Sequence, residues 1–237
     1  MKQFRFSAAV IVALVVMFSC NSGDEKKVED APDTTAVNTP QHTAPAGPVN
    51  ILTVMHKVAN FDKWLPAYEG HDSARRANGL RNYIVGRGLK DSNMVFIAMF
   101  VDDTARAKAF GASPDLKNAM KKAGVVGMPT SEMLSTTMLD TTTTSAPRVR
   151  INFKVKDWDI WKKSFDDNKQ MRMDAGLIDR AVGHRINDNH MVSLVCVATD
   201  MKKAEDFGKS PGLKERMEKG GVEGPPTIFY YNVVKRY

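Results

Sequence analysis

The sequence contains an internal duplication at a constant offset of 97 residues. Lys57-Val58 returns as Lys154-Val155, and Trp64 returns as Trp161. The gapless alignment continues through Arg75 with Arg172, Gly79-Leu80 with Gly176-Leu177, Val85-Gly86 with Val182-Gly183, Ser113-Pro114 with Ser210-Pro211, Gly124-Val125 with Gly221-Val222 and Pro129 with Pro226. About a third of the aligned positions are identical, which indicates two copies of one structural unit.

The limits of the repeat divide the chain into domains. The duplicated units predict a first domain over 49–139 and a second over 148–237. Residues 140–147, DTTTTSAP, are rich in threonine and end in proline, which is typical of a linker.

Each copy shows the same alternation of strand and helix signals. An apolar, beta-branched run over 51–58 predicts a strand, and apolar residues at helical spacing over 61–78 predict a helix that ends at Gly79. The remaining predicted elements are strands over 80–88 and 94–101, helices opened by Asp103 and Ser113-Pro114, and a closing strand over 130–139. This order is that of a ferredoxin-like βαββαβ unit, so the fold class is α+β. Because such a sheet carries helices on one face only, we expect the two copies to form an intramolecular pseudo-dimer.

The motifs of both copies resemble a known family. They are FDKW, a Gly-Leu pair after the first helix, and AKAFxxSPDLKxAMxxAGVxGxP in the first copy, with WDIW and AEDFGKSPGLKERMEKGGVEGPP in the second. The chain after Val49 is similar to antibiotic-biosynthesis-monooxygenase-like proteins of the dimeric alpha/beta barrel superfamily. The resemblance implies that the two ferredoxin-like units form an intramolecular dimeric α/β barrel. It leaves the activity open, since members include cofactor-free quinone-forming oxygenases, haem-degrading enzymes and many proteins with no known role.

The N-terminus has the pattern of an export signal over residues 1–19. Lys2 and Arg5 precede an apolar run over 8–18 that is too short for a comfortable membrane span. The following Met17-Phe18-Ser19-Cys20 resembles the lipobox of bacterial lipoproteins, which implies lipidation of Cys20 and cleavage before it. The alternative is a short N-terminal transmembrane anchor with an incidental cysteine.

Residues 20–48 predict a disordered tether. The stretch 21–48 holds seven charged residues among Thr, Pro, Ala and Gly, with no apolar periodicity. Diacylated Cys20 would anchor the domains stably to the cell envelope. Asn21 is not the aspartate that commonly retains lipoproteins in an inner membrane, so an outer-membrane location is favoured.

The positive charge is a property of the duplicated body. The chain has 34 Lys plus Arg and 27 Asp plus Glu, a formal charge of +7. After loss of Lys2 and Arg5, and with a net −3 on the tether, the two copies carry +8. Basic and acidic residues are mixed along the second helical regions, which indicates a solvated surface and no nucleic-acid partner.

The sequence lacks strong catalytic and metal-binding motifs. It has no HExxH, CxxC, GxSxG, phosphate-binding GxxxxGK[ST] or EF-hand pattern, and its five histidines show no i, i+4 pair. We therefore predict no metal site and no cofactor. We expect His56 at a strand end and His190 in a hairpin to be exposed, and Cys196 to be a buried, inert strand residue.

The best candidate site lies on the first helix of each copy. Trp64, Tyr68, His71 and Arg75 fall at i, i+4, i+7 and i+11, along one helical stripe. The resemblance implies sites in the cleft between this helix and the sheet, where aromatic rings and a guanidinium could hold a planar or anionic ligand. The candidate ligand-binding residues are Trp64, Tyr68, His71, Arg75, Trp161, Phe165 and Arg172. His71 is not duplicated, which makes it the best catalytic candidate.

A plain structural role is the alternative for the duplicated residues. Trp64 and Trp161 would then be core anchors, and the two arginines would extend to the surface or pair with carboxylates such as Asp62 and Asp159.

Three functions remain open from the sequence. The leading hypothesis is a non-catalytic, lipid-anchored protein that binds a small apolar or aromatic ligand or serves a structural role. The second is a cofactor-independent monooxygenase or a haem-handling enzyme, with His71 as general base or ligand and with Trp64 and Arg75 orienting the substrate. The third is an interaction module that pairs through an exposed sheet edge.

Overall fold

The computed structural model describes residues 47–237. The predicted signal, Cys20 and all but the end of the predicted tether lie outside the described residues. Within 47–237, every helix is too short or too polar to cross a membrane.

The described chain alternates strands and helices in the same order in both copies. The first copy comprises β1 (Val49–Val58), α1 (Phe61–Gly70), α2 (Asp72–Ala77), β2 (Leu80–Gly88), β3 (Met94–Val101), α3 (Thr104–Ala112), α4 (Pro114–Lys122) and β4 (Val125–Leu139). The second comprises β5 (Arg148–Val155), α5 (Trp158–Asp167), α6 (Lys169–Asp174), β6 (Leu177–Arg185), β7 (Asp188–Ala198), α7 (Met201–Gly208), α8 (Pro211–Lys219) and β8 (Val222–Arg236). The predicted α+β class is confirmed.

Two predicted elements differ from the structure. The helix predicted over 61–78 is broken at His71 into α1 and α2, and the second copy breaks at the equivalent Asn168. The closing strand begins at Val125, earlier than the predicted residue 130, and includes Pro129. The helix starts follow the predicted capping, since the Asp103 side chain accepts a hydrogen bond from the Arg106 amide in α3.

All eight strands form one closed antiparallel barrel in the order β1-β3-β2-β8-β5-β7-β6-β4. The copies join edge to edge at two seams, where β2 pairs with β8 and β4 pairs with β6. Ile84 faces Arg236 across the first seam, and Leu139 faces Ala181 across the second, so the pairing repeats at the offset of 97. The expected intramolecular pseudo-dimer is therefore present, with its sheets continuous.

Barrel closure removes most of the surface needed by the sheet-edge hypothesis. In the described barrel, the edge strands of each copy pair with those of the other. The stretches 125–133 and 222–230 extend past the seams. They carry Pro129 and Pro226, which have no amide hydrogen for an added strand.

Duplicated glycines allow the seams to close. A Cβ atom on Gly86 would lie 2.4 Å from Cδ2 of Tyr231, and one on Gly183 would lie 2.4 Å from the carbonyl oxygen of Ser135. Both contacts cross between copies, so any larger residue would push the strands apart. This requirement explains why glycine occupies both positions.

Three apolar cores support the barrel. One lies between sheet and helices in the first copy and includes Trp64, and its counterpart in the second copy includes Trp161. The third fills the barrel interior around Phe96 and Tyr231. The candidate cleft therefore lies on the outer, helix-covered face of the barrel.

Candidate functional site

The second copy contains a cavity of about 160 Å³ between its helices and the outer face of its sheet. Three of the predicted ligand-binding residues, Trp161, Phe165 and Arg172, line it. Further lining side chains are Phe153, Met171, Leu194, Cys196, Phe207, Leu213, Met217, Ile228 and Tyr230. For scale, an engineered apolar cavity of about 150 Å³ binds benzene.

Aromatic rings build one wall of this cavity. The Trp161 ring stacks on Phe165 with centroids 5.1 Å apart and meets the edge of Phe153 at 5.3 Å. Cys196 on β7 is 0% exposed, which confirms its predicted burial. Burial raises the pKa of the Cys196 thiol, and the nearby Asp179 carboxylate adds to the rise. The thiol is therefore protonated, and it donates to Asp179 Oδ1 at 3.5 Å.

Arg172 uses three of its five N–H donors in contacts within the protein. Its Nε and Nη2 donate to the two Asp179 oxygens at 2.9 and 2.7 Å, and its Nη1 donates to the Phe165 carbonyl at 2.6 Å. The guanidinium carbon also lies 3.4 Å from the Phe165 ring centroid. Carboxylate pairing was expected, but the partner Asp159 was wrong: Asp179 on β6 faces the arginine across the helix–sheet interface.

The first copy holds Arg75 by a different set of groups. Its Nε donates to Asn82 Oδ1 at 3.0 Å and its Nη2 donates to the Tyr68 carbonyl at 2.7 Å. Asn82 aligns with Asp179 of the second copy. The carboxylate that compensates the charge of Arg75 comes from Asp72, whose Oδ1 lies 3.6 Å from Arg75 Nη2. The suggested partner Asp62 was therefore also wrong.

The predicted first-copy residues form a packed aromatic cluster. Trp64 is buried and stacks on Tyr68 at 5.0 Å. The Tyr68 hydroxyl donates to Asn82 Oδ1 at 2.7 Å, and burial raises its pKa above the ordinary value. Tyr68 therefore lies between Trp64 and Arg75, whose guanidinium carbon is 3.8 Å from the Tyr68 ring centroid, and this packing matches the core-anchor alternative.

His71 lies at the junction of α1 and α2, apart from the cluster's centre. Its half-buried ring stacks near Phe110 with centroids 6.1 Å apart. The break in the helix places it beside Phe110 of α3. Its counterpart Asn168 lines the second-copy cavity.

His56 was expected to be exposed, and this expectation was wrong. The side chain is 6% exposed and meets the edge of Trp64 with centroids 5.4 Å apart. Neither ring nitrogen has a hydrogen-bond partner among the described residues, and burial lowers its pKa to about 4. The burial of His56 could have been predicted from the duplication, because His56 aligns with the apolar residue Phe153. In the structure, Phe153 meets Trp161 in nearly the same geometry as His56 meets Trp64.

At one aligned core position the first copy has Met99 and the second has Cys196, a difference not singled out from the sequence as important for the site. Cys196 in the second copy aligns with Met99 in the first, and Met99 is 4% exposed in the core around Trp64. The longer methionine occupies space that the cysteine leaves open. Predicting this difference requires comparing side-chain volumes at aligned core positions.

The cavity lining is apolar, with a polar rim on one side. Asn168 Nδ2 donates to the Ser164 carbonyl at 2.7 Å, and its Oδ1 accepts from exposed Arg216 at 2.7 Å. Arg172 and Arg216 are the charged residues of the lining, and it includes no histidine, lysine or carboxylate. Over residues 47–237, no three His, Cys, Asp or Glu side chains cluster as a metal site. The arrangement can hold an apolar molecule and orient a polar group on it.

No protein-family model matches the sequence, and no curated protein matches it. Several solved structures are similar to the structure of this chain. A candidate monooxygenase from Fusobacterium nucleatum is similar with a TM-score of 0.51 at 14% identity, over 79% of this chain and 93% of the other. An anthrone oxidase-like protein gives 0.54 at 14% identity, over 80% and 92% of the two chains. A candidate chlorite dismutase gives 0.53 at 11% identity, over 79% and 95%.

The chain has the ferredoxin-like, dimeric α/β barrel fold. The likeness to these neighbours confirms the fold that the sequence motifs indicated. At these identities the likeness establishes the fold, and the function has to be argued from the site.

Proposed function

We propose that the protein is an exported, lipid-anchored binding protein that holds a small apolar or aromatic molecule in the second-copy cavity without transforming it. The observation that carries the proposal is the cavity itself, about 160 Å³ and lined by aromatic, aliphatic and sulfur-containing side chains. Such concave apolar sites with a few polar groups are the usual form of small-molecule sites.

The lining defines the class of ligand. The size suits a single aromatic ring with short substituents. The Trp161 and Phe165 rings offer stacking surfaces, and Asn168 at the rim offers a hydrogen bond to one polar substituent. A phenol-like molecule satisfies both requirements.

The groups that line the cavity support the proposal of a non-catalytic role. General acid–base catalysis needs a side chain that titrates near the working pH. Burial raises the pKa values of Cys196 and Tyr230, and the lining includes no histidine, lysine or carboxylate that could fill that role.

The alternative oxygenase or haem-handling function depends on the first copy. His71, its candidate base or ligand, is not part of the second-copy lining. In the first copy, Met99 is buried in the core and half-buried Met133 packs against it, beside Trp64. The cavity that the structure forms in the second copy therefore lies away from His71, which favours binding over that alternative.

Replacing Cys196 by Met, the residue of the first copy, should fill the cavity. Isothermal titration of the full-length chain with 4-bromophenol, with detergent in both compartments, should show one site in the wild type. Cys196→Met should bind at least about tenfold more weakly, a loss of about 1.4 kcal/mol. The control Met99→Cys changes the first copy, so it should leave the affinity of the second-copy site unchanged, whether or not the shorter side chain opens a further site there. Absence of wild-type binding, or equal binding by Cys196→Met, would contradict the proposal.

Lipid anchoring is supported by the signal pattern and by the acidic, proline-containing spacer after Cys20. The wild type should enter the detergent phase of Triton X-114 and take up labelled palmitate, while Cys20→Ala should do neither. Cys196→Met serves as the control for the other cysteine and should behave like the wild type. Detergent partitioning of Cys20→Ala would instead indicate a transmembrane anchor.

A further inference from the structure

The barrel interior carries buried positive charge that comes from one copy. Arg148, Arg150 and Arg180 line a cavity of about 40 Å³ at the centre of the barrel. They are 2%, 6% and 7% exposed. Arg236 at the end of β8 lies close enough for the charge of Arg148 to act on it.

The fold does not require these arginines. At the offset of 97, Arg148 aligns with Ile51, Arg150 with Thr53, Arg180 with Tyr83 and Arg236 with Leu139. The first copy thus builds the same barrel positions with uncharged side chains. The guanidinium groups at these positions are therefore present in the second copy alone.

The carboxylates near the interior compensate only part of this charge. Arg150 pairs with Glu132, which is shared with Arg185, and Arg180 pairs with Asp140. Among the described residues, no carboxylate lies within 4.0 Å of a nitrogen of Arg148 or Arg236. Burial lowers the pKa of Arg236, and the positive charge of Arg148 lowers it further.

Hydrogen-bond donors in the same region also lack partners. The unpaired buried nitrogens are Arg148 Nε and Nη2, Arg150 Nε, Arg180 Nε and Arg236 Nη2. The Tyr231 hydroxyl lies beside Arg148 and the Tyr83 hydroxyl beside Arg236, but neither makes a well-aligned hydrogen bond, and both tyrosines line the cavity. Burial raises the pKa of Tyr231 to about 12, so its hydroxyl is a donor at neutral pH.

An unpaired buried charge costs several kcal/mol, because it loses hydration without gaining a partner. An anion among these donors would remove the cost by forming charge-assisted hydrogen bonds. A cavity of about 40 Å³ holds roughly three water-sized groups, which is the size of a small oxyanion.

We propose that the barrel interior binds a small oxyanion, held by Arg148 together with Arg180 and the Tyr231 hydroxyl. Phosphate, sulfate and a short carboxylate all present the negatively charged oxygen atoms that these donors would bind. This site is separate from the helix–sheet cavity, which lies on the other face of the sheet.

The test is thermal unfolding of the full-length chain in sodium phosphate, sulfate or acetate against chloride at constant ionic strength. At about 100 times Kd, the favoured anion should raise the wild-type Tm by about 5–10 °C. Arg148→Ile, which installs the first-copy residue, should lose this rise. In chloride alone its Tm should equal or exceed that of the wild type, since an unpaired charge is removed.

Matched variants separate the site from general charge effects. Arg81→Ile also exchanges an arginine for the residue of the other copy, Ile178, but at an exposed position, and it should keep the anion response. Arg180→Tyr, again a first-copy residue, should weaken the response if Arg148→Ile folds poorly. A rise with phosphate and sulfate alone would assign a tetrahedral anion, and a rise with acetate a carboxylate. No rise in the wild type with any anion, or an equal rise in Arg148→Ile, would overturn the proposal.

Discussion

Asp179→Asn should lower the free energy of unfolding by about 3–5 kcal/mol, because it leaves the buried Arg172 guanidinium without its carboxylate. The wild-type pair is bidentate, at 2.9 and 2.7 Å, and both side chains are less than 10% exposed. Asparagine retains one acceptor but no charge. Urea denaturation followed by tryptophan fluorescence measures the loss.

The first copy supplies a rescue for this variant. There, asparagine at the equivalent position is accompanied by Asp72, which aligns with Lys169 in the second copy. Asp179→Asn with Lys169→Asp should therefore regain at least about half of the lost free energy. The surface variant Asp167→Asn should change little, since its pair with Lys163 is exposed. If Asp179→Asn is as stable as the wild type, the buried pair does not hold α6 to the sheet.

His56→Phe should remove a pH dependence of about 3 kcal/mol from the stability of the protein. In the folded protein the pKa of His56 is lowered to about 4, from its ordinary value of 6.5 in the unfolded chain. As the pH falls below 6.5, the unfolded chain binds a proton that the folded protein rejects. The stabilisation is therefore complete above pH 6.5 and is lost as the pH falls to 4.

The measurement is urea unfolding of wild type and His56→Phe at several pH values between 7 and 4. Carboxylates titrate in both proteins, so the difference between the two curves isolates His56. In the second copy, Phe153 already packs on Trp161 at the equivalent positions. His56→Phe should therefore fold with equal or higher stability than the wild type at pH 7. The reverse variant, Phe153→His, should acquire the pH dependence. Parallel curves for wild type and His56→Phe would show that His56 is hydrated in the folded protein.

The duplication made most of the architecture predictable. Residues that any copy of this unit needs, such as Gly86 and Gly183 at the seams, recur at the fixed offset and reveal the shared fold. Strand limits for β2 and β3 followed from apolar runs bounded by turn residues. The break at His71 was missed because the apolar spacing continues across it.

The site was less predictable because it depends on how the copies differ. The run RVRINFKV indicates a strand, but which side of β5 faces the barrel interior is fixed only by barrel closure. The buried arginines at 148 and 150 therefore could not be assigned to an interior from their spacing. Likewise, the cavity at Cys196 is set by volumes contributed from α5 to α8, which no local pattern reports.

The most direct test of the binding proposal is a crystal structure of the protein soaked with 4-bromophenol, with bromine located by its anomalous scattering. The proposal predicts a bromine peak inside the second-copy cavity, between the Trp161 ring and Cys196, and no such peak in Cys196→Met. A peak beside His71 in the first copy, or no peak in the wild type, would contradict it.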